Sequence, residues 1–234
     1  MRRIPLLLAP LALASCGGGG TGTPVSGDQL GVAVHKTLAQ GSEKVTLKGT
    51  VDLSGQKVSV DGSGAFNRSS GTLHLHLDLP GIGTTTVDEL VVGKVTWISS
   101  PLLAASLHGK HWLKLKGSTA LGFNVGVFAG VTPTSALAVL QLHGKLTSLG
   151  RDTLNGVSTK HYHVVLGMTN QNAQYKSADA WVDTQNLVRR VKLDFNASIA
   201  STGGTNADTV LTIDYSDFGT AVTATPPPAS DVSG

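Results

Sequence analysis

A single cysteine, Cys16, stands in 234 residues, so the chain has no intrachain disulfide and no Fe–S ligand set. If that thiol is acylated, no cysteine nucleophile remains either. Charge is also scarce: 14% of residues are charged, and no block of one sign forms. A nucleic-acid footprint is therefore not expected. The apolar run Ile4–Leu13 is short and broken by Pro5 and Pro10, too little to span a bilayer. Aromatics make up 5%; Trp97, Trp112 and Trp181 lie in strand-like stretches and read as core or rim residues, not as a sugar-stacking platform. Catalytic signatures are missing too. Ser99, Ser100 and Ser106 lack a Gly-x-Ser-x-Gly elbow, and no carboxylate pair sits in an apolar context. Asp88 and Glu89 are adjacent on a strand and point to opposite faces. The glycines form no phosphate-cradling motif. The chain is expected not to be an enzyme, and no cofactor is implied.

What is present begins at the start. Arg2 and Arg3 precede the apolar run, and Leu13-Ala14-Ser15-Cys16 closes it. A charged start, a brief apolar stretch and small residues before the cut describe a secretory signal. Leu-Ala-Ser-Cys is also the lipobox pattern of bacterial lipoproteins, in which the cysteine is lipidated and becomes the new N-terminus. Residues 1–15 are thus read as a lipoprotein signal peptide. Residues 16–27 are read as the lipidated Cys16 and a flexible Gly-rich linker, about 20 Å across on average. Removing the signal takes two arginines from eighteen basic residues, leaving sixteen against fifteen acidic ones. The mature surface is near neutral.

Beyond the linker one domain is expected over residues 28–219, with an extended tail at 220–234. Leu30, Val34 and Leu38 repeat at helical spacing and predict a helix from Asp28 to Gln40. From Glu43 the period changes to two. Val45, Leu47 and Val51 alternate with Lys44, Thr46, Lys48, Thr50 and Asp52; Leu73, Leu75 and Leu77 alternate with His74, His76 and Asp78. Such alternation predicts strands that bury one face. Ser100-Pro101 and Thr132-Pro133 read as helix starts, and Asn155-Gly156 as a hairpin turn between strands at 145–154 and 157–166. The poorly periodic stretch 121–131 is taken as a candidate mobile gate. In all, an α+β fold is expected: one large curved antiparallel sheet of about eleven strands, a half-barrel, with a few helices packed on its concave face.

Several local words resemble actinobacterial LppX/LprG-type lipoproteins of the LolA/LolB-like fold. They are Ser100-Pro101-Leu102-Leu103 with Gly109 to Leu115, then Gly156 to Tyr162. Trp181-Val182-Asp183 before Leu187 to Arg190, and Asp214 to Gly219, complete the set. The resemblance runs through almost the whole mature chain. It implies an apolar space between sheet and helices that holds the acyl chains of a lipid or lipoglycan. It also implies a lipid-anchored place on the outer face of the cytoplasmic membrane, an export protein as partner, and a monomer. The connection Gly167–Lys176 is short for the family.

The inward-facing residues Leu47, Val51, Val58, Val60, Leu75 and Leu77, with Leu137, Leu140, Val191 and Leu193 opposite, are the expected cavity lining. A filled core of the same residues, in a lipoprotein that binds a partner by its surface, is the alternative. Eight histidines raise a third reading. His74 and His76, and His161 and His163, each share one strand face, as metal ligands do. No cysteine or acid stands at ligand spacing beside either pair, so no metal site is assigned. His161 falls in a family word and reads as a packing residue.

Overall fold

A computed structural model describes residues 23–25, 28–53, 55–115, 132–142, 144–169, 173–199 and 205–234. Its frame is a single thirteen-stranded sheet, open and curved. In chain order the strands are β1 (Thr23–Pro24), β2 (Ser42–Leu53), β3 (Gln56–Asn67), β4 (Ser70–Leu79), β5 (Gly83–Val92) and β6 (Val95–Ser99). There follow β7 (Trp112–Leu115), β8 (Lys145–Leu154), β9 (Val157–Thr169), β10 (Ala173–Asp183), β11 (Val188–Ile199), β12 (Thr205–Ser216) and β13 (Val232–Ser233). The spatial order is β1-β8-β9-β10-β11-β12-β2-β3-β4-β5-β6-β7-β13. Every pairing is antiparallel except β13 on β7. Two hairpin runs, β2–β7 and β8–β12, are therefore joined where β12 returns beside β2.

The expected α+β architecture stands. Helix α1 (Asp28–Leu38) and helix α2 (Pro133–Val139) both lie against β11. The Ser100-Pro101 start gives a 3-10 turn, Pro101–Ser106, with Ser100 Oγ accepting from Leu102 N at 3.3 Å. At α2 the Thr132 hydroxyl accepts from Ser135 N, and Ser135 Oγ accepts from Thr132 N, a reciprocal cap. Eleven of the strands match the alternating stretches read from sequence. The two added ones, β1 and β13, hold two residues each, too few to carry a period. They lie outside the span 28–219.

Alternation explains the layering. Along β4, Leu73, Leu75 and Leu77 are buried while Thr72, His74, His76 and Asp78 are exposed. On β10 the buried set changes parity, from Ala173 and Tyr175 to Ala178, Ala180 and Val182. A register shift between Tyr175 and Ser177 accounts for it; the extra residue bends and twists the strand. The core joins inward residues of β2–β4 to those of β9–β12 and to Leu30, Val34, Ala136 and Leu137 of the helices. Thr37 fixes α1 on the sheet. Its hydroxyl donates to Ala33 O and accepts from Val188 N, both at 2.8 Å.

Candidate functional site

The ten expected lining residues come together. Leu47 and Val51 on β2, Val58 and Val60 on β3, Leu75 and Leu77 on β4, and Val191 and Leu193 on β11 share the inner face with Leu137 and Leu140 of the α2 segment. All belong to one apolar cluster and none is more than 6% exposed. Cys16 and the stretch 121–131 lie outside the described residues.

On β2 an inward acid breaks the apolar pattern. Glu43 has the same parity as Val45 and Leu47 and pairs across to Phe66 on β3. It is 9% exposed. Beside it opens a cavity of about 380 Å³, bounded by His35 and Leu38 of α1, Asn67 and Arg68 of the β3–β4 turn, and Thr134 of α2. Asn67 Oδ1 accepts from Ser69 N and Ser70 N at 2.9 and 2.7 Å, and this sets the tight turn that carries Arg68. Gln141 donates its amide to His35 Nε2 at 3.3 Å. Tyr215, fully buried nearby, donates its hydroxyl to Pro133 O at 2.7 Å, and burial first, then the charge of Glu43, pushes its phenol up.

Burial raises the Glu43 carboxyl from 4.5 to about 6, with no hydrogen bond or cation among the described residues to offset it. The folded chain thus holds an extra proton between those values. The contribution of this one group to stability is greatest below pH 4.5, falls as pH rises to 6, and stays lower beyond. Glu43→Gln is expected to stabilise the fold at pH 7.5 by about 1 kcal/mol, since water in the cavity screens part of the charge. At pH 4 it is expected to change little. Urea melts at both values check this, and equal effects at the two would refute it. Alternation alone marks the site, since Glu43 is an acid on an apolar parity. Taking that strand's pattern from Lys44 passes over it.

The paired histidines of β4 and β9 sit on the opposite face. His161 Nε2 and His163 Nδ1 both donate to Asp179 Oδ1, at 2.9 and 3.0 Å, across the β9–β10 pair. Burial pushes Asp179 up, but the two imidazole bonds outweigh it and hold the carboxyl below its usual range. His161 also stacks on Trp181, ring centroids 4.1 Å apart, and Trp181 Nε1 donates to Asp152 Oδ2 at 2.9 Å. The packing role read for His161 is its observed one. The acid that sequence spacing failed to supply comes from the neighbouring strand. His74 Nδ1 donates to Asp88 at 2.5 Å, and Asp61 lies 3.6 Å from His76. Among the described residues, no group of three or more His, Cys, Asp or Glu is placed to hold a metal ion.

No protein-family model matches the chain. SCO4650 of Streptomyces coelicolor, whose name marks it as a candidate lipoprotein, is 26% identical over 90% of this chain and 75% of its own length. Among solved structures, LprF of Mycobacterium bovis superposes with a TM-score of 0.51 at 15% identity, over 88% of this chain and 99% of LprF. The Mycobacterium tuberculosis lipoprotein LppX gives a TM-score of 0.45 at 15% identity, over 86% of this chain and all of LppX.

Proposed function

We propose, for a chain that fits the LppX/LprG-type lipoproteins in fold, that it is a membrane-anchored envelope lipoprotein which carries a lipid or lipoglycan by its acyl chains. The observation that carries this reading is the inner face. Ten- to thirteen-residue strands present a continuous apolar surface, while the helices on it hold only eleven and seven residues. A twelve-residue strand runs roughly 40 Å and an eleven-residue helix roughly 16 Å. Such a face is longer than either helix laid on it; it is closed over in this structure, and an acyl chain admitted to it would gain about 0.8 kcal/mol per methylene buried. The action is binding, without chemistry on the cargo. Cys16 supplies the anchor on the outer face of the cytoplasmic membrane, and a monomer serves the purpose, handing cargo to or from an export protein.

Mass spectrometry of lipids extracted from the chain purified out of a related bacterium tests the reading. Stoichiometric acyl species are expected. A folded Leu75→Trp/Val60→Phe variant, which fills the inner face, is expected to lose most of them. No acyl species in either chain would sink the carrier reading. It would favour the alternative of a surface-interaction lipoprotein, to which the near-complete burial of the ten residues also speaks.

A further inference from the structure

We propose that the cavity beside Glu43 takes a zwitterion, its ammonium on the Glu43 carboxylate and its anionic group on Arg68, the chemistry of an ethanolamine-phosphate headgroup. Three observations carry this. First, Glu43 is nine-tenths covered, lines an open cavity, and receives no hydrogen bond or ion pair from the described residues. A carboxylate so placed is costly until a cation or strong donor meets it. Second, Arg68 borders the same cavity from the β3–β4 turn, exposed and in no ion pair among the described residues. Its planar guanidinium suits a phosphate or carboxylate. Third, the two charges are of opposite sign on one cavity of about 380 Å³. A purely anionic ligand would meet Glu43 unfavourably, and a bare divalent ion would find one carboxylate where several oxygen ligands are needed.

The cavity also touches the apolar core. Leu38 lines it and packs on the core cluster, and Phe66, the cross-strand partner of Glu43, belongs to that cluster. A headgroup held here therefore directs attached chains toward the inner face. In that form the inference rests on the carrier reading; a free zwitterion needs only the cavity. The other titratable groups on the cavity are His35 from α1 and Arg68 from the β3–β4 turn, and Tyr215 of β12 feels the charge of Glu43. Affinity is expected to rise as pH passes above about 6 and the carboxylate ionises.

Calorimetric titration of the full delipidated chain tests this with three probes: O-phosphoethanolamine, dihexanoyl phosphatidylethanolamine and dihexanoyl phosphatidylglycerol. At pH 7.5 at least one amine probe is expected to bind, about tenfold more weakly to Glu43→Gln and to Arg68→Ala. The glycerol lipid is expected to bind no better than to Glu43→Gln. Binding of both amine probes, or of the lipid alone, assigns a membrane aminolipid; binding of O-phosphoethanolamine alone assigns a free zwitterion. Equal affinity for the two lipids, wild-type affinity in Glu43→Gln, or no binding of either amine would overturn the proposal. Co-purified acyl lipids together with no binding of either amine probe would spare the carrier reading and remove this one. O-phosphoethanolamine bound by a chain that retains no acyl lipid would do the reverse.

Discussion

Asp183→Ala is expected to destabilise the chain by about 3–5 kcal/mol, the range for a buried charge pair that loses one partner. Asp183 is 7% exposed. Its Oδ1 accepts from Gln185 N at 2.8 Å and Leu187 N at 2.9 Å, and its Oδ2 accepts from Arg189 Nε at 2.6 Å. Alanine leaves two backbone donors and a part-buried guanidinium without their acceptor. Asp183→Asn keeps one acceptor oxygen and is expected to lose roughly half as much. Arg189→Ala removes the cation together with its stacking over Phe218, 4.8 Å from the ring centroid, and is expected to fall between the two. Urea unfolding with unchanged slope reads all three. An Asp183→Ala midpoint within about 1 kcal/mol of wild type would show that the turn holds without its carboxylate. The turn matters beyond itself. It leads into Val188, whose N–H is held by Thr37 of α1, and α1 carries His35 and Leu38 to the cavity.

The second large effect is expected at Gly64. A Cβ there would stand 2.1 Å from Thr72 O, and one at Gly62 2.3 Å from His74 O. Both obstacles are backbone atoms of β4, so no side chain can swing aside. Strands β3 and β4 would have to part, straining or breaking ladder hydrogen bonds on either side. Gly64→Ala is expected to destabilise by about 3 kcal/mol or more, at the upper end of overpacking effects. Gly31→Ala in α1 provides the contrast. Nothing lies within 4 Å of its Cβ position, and alanine there is expected to stabilise by about 0.5–1 kcal/mol. Thermal melts of the pair should move in opposite directions; a neutral Gly64→Ala would mean that the close approach of β3 and β4 is not needed for the fold.

Periodicity made most of the sheet legible because each long strand buries one face. The Leu73-Leu75-Leu77 alternation carries its own burial pattern. Asn155-Gly156 marks its hairpin because both residues adopt positive φ, 50° and 80°. Pairing across strands was not legible. Asp179 between His161 and His163, or Asp88 beside His74, depends on which residues the register sets opposite, and that is decided by distant packing. The ten inward apolar residues were legible as a set, since parity groups them, but parity does not say whether a ligand or other side chains fill the space between. Glu43 was legible in principle. Its burial needed β2 to extend back to Ser42, where the alternation is only beginning.

The pairing of β1 with β8 alters the leash on which the domain would hang. Thr23 and Pro24 lie opposite Ser148 and Thr147, and Val25 N donates to Leu146 O at 3.4 Å. With Cys16 as anchor, the chain between anchor and sheet is then only Gly17–Gly22. Six residues reach at most about 20 Å. In the proposed lipoprotein, a tether this short, leaving from one edge of the sheet, would restrict the domain to a narrow range of orientations and keep β8 near the bilayer. Cargo transfer from the membrane would then be a matter of rolling about that edge, not of diffusing freely above the surface.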